Sequence, residues 1–377
     1  QQNTLIGALA GDALTTGAYN VAVGIHSLGS EDTGNKAVAI GYHALTAQNN
    51  DTDTMNVAIG YEAGKAITTG IRNTIIGGNA GDALTTGTRN TAIGYLALSA
   101  EDTGSYSTAI GNQALANQDA GDAFNVAVGH NCGINVTTGT VNTLVGAFAG
   151  DALTEGNTNV AVGYAALSAE TLGDRNVAIG HGSLQSQNNT SDTDVYNVAV
   201  GYNAGNTMTT GTLNTIIGGL AGDALTTGVS NVAIGYRALS SEDAHGQNVA
   251  IGSFALSNQD AGSDAYNVVI GAAAGSAVTT GINNTLIGGQ TGTALTTGAR
   301  NVAVGFDALK TEDEHGRNVA VGYQALKILN AGADAFNTAV GYDSGLNITT
   351  GTQNTLIGGR AGDALTTGGG NVAIGYG

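Results

Sequence analysis

Apolar and polar positions along this chain follow one short phrase that keeps returning: Asn, then Val or Thr, then a small or aliphatic residue, then Ile or Val, then Gly. It begins at Asn3, Asn20, Ala37, Asn56 and Asn73 and runs on to Asn354 and Asn371, 22 copies in all, mostly 17 residues apart with occasional steps of 18, 19 or 21. Counting the first residue as offset 0, offset 1 is always Val or Thr, offset 3 always Ile or Val, and offset 4 always Gly. β-Branched residues two apart, closed by Gly, predict a short strand in each copy. One strand every 17 residues leaves room for a further short stretch and two turns, the content of one coil of a parallel β-solenoid. The expected fold class is all-β: a parallel β-solenoid of about 22 coils of ~17 residues.

Coils stacked about 4.8 Å apart align equal offsets into ladders. The Val/Ile ladder at offset 3 is expected to face the interior. Asn fills offset 0 in 20 of the 22 copies, and stacked Asn side chains can hydrogen-bond from coil to coil. Gly at offset 4 marks a corner of positive φ, or one with no room for Cβ.

A longer period lies over the short one. "GDALTTG" stands at 11–17, 81–87, 222–228 and 362–368, with variants at 150–156 and 292–298. Four successive coils, A to D, therefore make a super-repeat of about 70 residues. Leu sits at offset 8 in B and C coils, as in Leu98 and Leu115. A and D coils place Leu, Ile, Val or Met at offset 11, as in Leu84 and Met208. This exchange reads as volume compensation in one core. Every insertion falls in a C coil and ends in Met55, Phe124, Tyr196, Tyr266 or Phe336, expected to pin the longer turn to the body. The chain reads as one solenoid domain, 1–377, with super-repeats 3–72, 73–141, 142–213, 214–283 and 284–353 and a partial 354–377.

Offset 2 points opposite to offsets 1 and 3, hence away from the expected core, yet it is apolar in every copy. Such a long apolar stripe exceeds what a soluble monomer exposes. The expected partner is another copy of the chain packed alongside.

Composition narrows the function. The 61 Gly without any Pro exclude collagen, and the 42% hydrophobic share exceeds that of a disordered chain. No apolar run is long enough for a transmembrane helix, so no membrane insertion by this segment is expected. A net charge of −18 opposes binding to nucleic acid. Cys132 is the only cysteine, so no internal disulfide can form.

Candidate chemistry concentrates in two places. Acidic residues recur in the B coils at Glu31–Asp32, Glu101–Asp102, Glu242–Asp243 and Glu312–Asp313–Glu314. Paired carboxylates serve glycoside hydrolysis, but these recur in Ser/Gly-rich turns with few basic or aromatic neighbours. They are expected to be solvated turns, so no catalytic residues are assigned and the chain is expected not to be an enzyme. His245 and His315 add nitrogen to two of these clusters, and the C loops at 49–53 and 188–194 are rich in oxygen donors. No calcium-loop motif is complete, so no metal and no cofactor are assigned. Thr pairs such as Thr68–Thr69 and Thr85–Thr86 would suit ice binding, but the row breaks after every two coils. The second place is offset 5. A coils carry only Gly or Ala there, while the other coils carry Tyr42, Tyr61, Tyr95, Tyr164, Tyr202, Tyr236, Phe306, Tyr323 and Tyr342. A Tyr ring offers a flat apolar face and a polar tip, so these nine are the candidate ligand-binding residues, with cell-surface glycans as the expected ligands.

The stretches "NVAIGYEAG", "NVAVGYAALS" and "NTAIGYLALS" resemble the head repeats of YadA-like trimeric autotransporter adhesins, and similar repeats in phage-type tail fibres. The resemblance runs through all 22 copies. It implies a left-handed parallel β-roll, a homotrimer, exposure on a cell or virion surface, and attachment to glycans or other surface receptors. This sequence departs in its longer period and in placing Asn directly before Val or Thr. The ends break off within coils, which reads either as a segment cut from a longer fibre, the favoured expectation, or as a subunit that stacks end to end on copies of itself.

Overall fold

The computed structural model describes residues 2–191 and 193–377. Asp192, in the loop at 188–194, lies outside the described residues. The chain is all-β, and no helix occurs among the described residues. Each copy of the phrase forms one three-residue strand at offsets 1 to 3, from β1 (Thr4–Ile6) to β22 (Val372–Ile374). Contacts divide the chain into two units, Gln1–Val195 and Tyr196–Gly377. The first holds the eleven strands from β1 to β11 (Val177–Ile179), the second the eleven from β12 (Val198–Val200) to β22.

Within each unit every strand pairs in parallel with the next, and equal offsets align. Thr4 faces Val21, Leu5 faces Ala22 and Ile6 faces Val23. The register survives the insertions: Val319 still faces Thr338 across a 19-residue step. Loop length varies without disturbing the sheet because the added residues bulge outside the ladder.

The interior is the reverse of the expectation. In every strand but β1 and β22 the middle residue, offset 2, is buried, and offsets 1 and 3 point outward. Ala39, Ala92 and Ala233 are wholly enclosed, while Ile179, Ile217, Val302 and Val340 stand exposed. The reason is space. In B and C coils the interior is filled by Leu at offset 8, such as Leu98 and Leu115, and only Ala fits opposite. In A coils offset 2 is Ile75, Leu144, Ile216 or Leu286, and offset 8 is Gly. A Cβ on Gly81 would lie 3.1 Å from Ile75 Cδ1, and one on Gly150 would lie 3.0 Å from Leu144 Cδ2. The large residues at offset 11, including Ile67, Leu84 and Met208, are buried as expected. The β-branched residues at offsets 1 and 3 suit a pleated strand whichever face they occupy, which is why they imitate a core.

Two further ladders hold the coils. Asn20 Nδ2 donates to Gly34 O at 2.9 Å, closing its own coil, and Asn20 Oδ1 accepts from Ala37 N at 2.9 Å in the next. Asn73 repeats both bonds with Gly87 O and Asn90 N. The Asn ladder thus binds mainly backbone, and side-chain pairs such as Asn176 to Asn159 add to it. Gly at offset 4 has φ near +135°, and its pro-Cβ position is taken by the carbonyl of the same Gly one coil on, 2.2 Å away at Gly94. No other residue fits that corner. The residues closing the C-coil insertions are not buried: Phe124 and Phe336 stay half exposed. Phe124 stacks on Tyr106 at 5.0 Å, and Arg317 lies over Phe336.

Candidate functional site

The nine rings of the offset-5 ladder follow directly after the Gly corner, so the backbone turn throws them outward. All nine are exposed, between 42% and 57%, and none serves as core. Where two successive coils carry rings, the rings stack: Tyr42 on Tyr61 at 5.3 Å and 11°, Phe306 on Tyr323 at 5.9 Å and 14°, and Tyr323 on Tyr342 at 5.2 Å and 8°. Tyr164 stacks on His181 at 5.1 Å. Tyr236 meets Phe254 edge-on at 5.4 Å, with Arg237 over its own face. Tyr61 and Tyr95 are separated by an A coil, Tyr95 is followed at offset 5 by Asn112, and Tyr202 lies in the second unit.

Stacking changes what the rings offer. Inside a stack their faces are spent on one another, leaving edges and hydroxyls to solvent. Outer faces remain at the ends of a stack, as at Tyr61 and Phe306 beside an A coil, whereas Tyr42 ends its stack toward Ile25 of a B coil. In A coils offset 5 holds a small residue such as Gly78, Gly219 or Gly289, and the following B-coil ring leans over it: Cβ atoms at these positions would meet Tyr95, Tyr236 and Phe306 at 3.4 to 3.7 Å. Rings on the two sides of an A coil are two coil heights apart, about 9.6 Å. One such gap is filled by the protein itself. Phe148, at offset 6 of its A coil, stands edge-on between His130 at 5.4 Å and Tyr164 at 5.8 Å. The other A coils carry Leu9, Asn79, Leu220, Gln290 and Arg360 at that offset. The space beside the one A coil of Phe148 thus holds one six-membered ring.

The acidic turns differ from expectation. Their Asp residues are exposed or half-buried, but Glu31, Glu101, Glu170, Glu242 and Glu312 are wholly enclosed. They occupy offset 11, the column that carries Leu, Ile, Val or Met in A and D coils. Glu31 Oε1 accepts from Gly34 N at 2.7 Å and Oε2 from Gln48 Nε2 at 3.0 Å. Glu101 does the same with Gly104 N and Gln118 Nε2. Gln118 Oε1 in turn accepts from Asn125 Nδ2 at 2.9 Å. Glu170 accepts from Gly173 N, Asn189 N and Gln187 Nε2. The carboxylate ties the glycine three residues on in its own turn to the next coil, a structural role. Burial raises the Glu101, Glu242 and Glu312 carboxyls above the usual range, opposed by Gln118 and backbone N–H groups at Glu101 and by backbone N–H groups and the neighbouring histidine at Glu242 and Glu312. Burial likewise pushes the Cys132 thiol up to about 12, so it stays a neutral core group.

In the last two B coils the pattern changes. His245 and His315 stand where Gly34, Gly104 and Gly173 stood, three residues after the Glu. His245 Nδ1 lies 3.3 Å from Glu242 Oε1, and His315 Nδ1 lies 3.6 Å from Glu312 Oε1. Sequence reasoning noticed the histidines but missed that the glutamates beside them are buried.

No protein-family model and no curated protein sequence matches the chain. Among the described residues no helix is long and apolar enough to cross a membrane.

Proposed function

We propose that this chain is a segment of a non-enzymatic surface fibre or adhesin, displayed outside a cell or on a virion, that mediates attachment by multivalent glycan binding. The observation that carries the reading is the ladder of nine exposed rings, placed beyond the core by an obligatory glycine corner and interrupted at every A coil. A pyranose has an apolar face that suits a free aromatic face. Its thickness suits the gap that Phe148 fills. Rings flank an A coil on both sides at Tyr61 and Tyr95, at Tyr202 and Tyr236, and at Tyr342 and Tyr376, and weak sites repeated along a chain gain avidity.

The same reading makes the fibre a homotrimer of β-rolls of the YadA-like kind. Its support moves from offset 2 to the outward Val/Thr and Ile/Val ladders at offsets 1 and 3, which form an uncharged apolar sheet face along each unit. The test of function is a glycan array probed with the wild-type chain and with Tyr42, Tyr61, Tyr323 and Tyr342 all changed to Ala. Binding that disappears in the variant supports the reading. Binding that persists removes the ring ladder, and no binding to any glycan leaves a structural fibre spacer.

A further inference from the structure

Among the described residues Glu242 is the one buried glutamate with an oxygen left over. In the first three B coils that oxygen accepts from a glutamine one coil on, Gln48, Gln118 or Gln187. Gln259 holds the same offset beside Glu242, but its Nε2 turns instead to Asn248 Oδ1 at 3.5 Å. Glu242 Oε2 is fully enclosed and has no hydrogen-bond partner. Ala261 N–H favours the ionised carboxyl without closing a bond to it. The other oxygen, Oε1, accepts from His245 N at 3.2 Å and lies 3.3 Å from His245 Nδ1, a buried nitrogen that closes no well-aligned hydrogen bond. With the imidazole in the tautomer that leaves Nδ1 unprotonated, its lone pair and the Glu242 carboxylate converge on one point. Asp243 and Asp260, both exposed, bring two more carboxylates, and one donor atom from each of the four residues lies within 4.8 Å of all the others.

We propose that Glu242, Asp243, His245 and Asp260 form a divalent-cation site of the zinc class. The 3.3 Å between Glu242 Oε1 and His245 Nδ1 is the edge of a tetrahedron with metal–ligand bonds of about 2.0–2.1 Å. An imidazole with carboxylates selects zinc or a neighbouring transition metal over calcium or magnesium. Glu242 and His245 are held by the coil, and the exposed Asp243 and Asp260 need only rotate inward. The related cluster at Glu312, Asp313 and His315 has Asn330 where the first has Asp260, one carboxylate fewer, and is the weaker of the two.

The test is calorimetric titration of the full chain with zinc chloride at neutral pH, in physiological salt and excess magnesium to occupy non-specific carboxylates. The wild type is expected to take up zinc at one dominant site. His245→Gln and His245→Gly should weaken it at least about tenfold, a loss that even an outer-shell partner's removal can cause. His245→Gly copies the residue at this point of the first three B coils. Asp260→Asn copies Asn49, Asn188 and Asn330 at the same offset, lies on the surface, and should weaken zinc without changing the thermal midpoint. His315→Gly should leave the dominant site in place. A wild-type titration matching that of His245→Gly would overturn the proposal. So would full affinity in both His245→Gln and Asp260→Asn, or zinc-independent behaviour in which only pH alters stability, the mark of a simple imidazolium–carboxylate pair.

Discussion

Replacing Gly94 by Ala tests the corner on which both the ladder of rings and the stacking of coils depend. Gly94 has φ +136°, and a Cβ there would lie 2.2 Å from Gly111 O and 2.5 Å from Gly111 C. Ordinary carbon–oxygen contact begins near 3.3 Å, so the overlap is about 1 Å. It is against backbone, which cannot rotate away. Gly111 N–H donates to Ile93 O at 2.7 Å, so moving the obstructing peptide strains a bond between coils. The backbone conformation contributes about 1–3 kcal/mol and the overpacking about 1–3 kcal/mol more. Gly121 is the control: its φ is +67° and nothing lies within 4 Å of its pro-Cβ position. Gly121→Ala should cost no more than about 1–2 kcal/mol. Urea unfolding followed by circular dichroism gives both values. Hydrogen exchange should place the Gly94→Ala loss in the adjoining coils, because solenoid stability is a sum of neighbour terms. Equal losses in the two variants would refute the claim that the next coil's carbonyl dictates glycine at offset 4.

Three other outcomes follow from the same structure. Leu167→Ala, at a wholly buried offset-8 position, should cost about 2–5 kcal/mol in urea unfolding, whereas Val160→Thr on the outward face should cost little. The folded Glu101 carboxyl is raised by burial, so the folded chain binds more protons than the unfolded one between the ordinary glutamate range and that raised value. Stability should therefore fall as pH rises through this window, and Glu101→Gln should remove that part of the slope in melts across pH. Light scattering should give three times the 37.1 kDa chain mass for the wild type, and a lower mass for Ile179→Asp with Ile217→Asp if the outward sheet face is the contact.

Strand positions were legible to the residue because the chain writes them 22 times. The facing of the strand was not. Val and Ile at offsets 1 and 3 look like a core by size, and Ala at offset 2 looks incidental. The deciding signal lay further along the coil: Leu or Ile replaces Ala at offset 2 only in A coils, and offset 8 is Gly there and in the preceding D coils, where a Cβ on Gly133 would lie 2.7 Å from Leu144 Cδ1. Two columns that exchange volume must share an interior. The buried glutamates were hidden by their neighbours, since Glu–Asp in a Ser/Gly turn reads as solvent-facing. Their constant place at offset 11, in register with Leu84 and Met208 and followed one coil later by Gln48, Gln118 and Gln187, marks them as core. The ring ladder was legible as residues, but its stacking was not, because whether neighbouring rings expose faces or edges depends on side-chain angles that no spacing encodes.

Saturation-transfer NMR tests the attachment reading most directly, using the full chain and a glycan taken from the array. Irradiating the aromatic protons should attenuate the ring CH signals of the bound sugar. Asn79→Phe, which plugs the gap between Tyr61 and Tyr95 as Phe148 plugs its own, should reduce the effect, and the four-tyrosine variant should reduce it further. Transfer that is absent in the wild type, or undiminished when the four tyrosines are gone, would contradict the account.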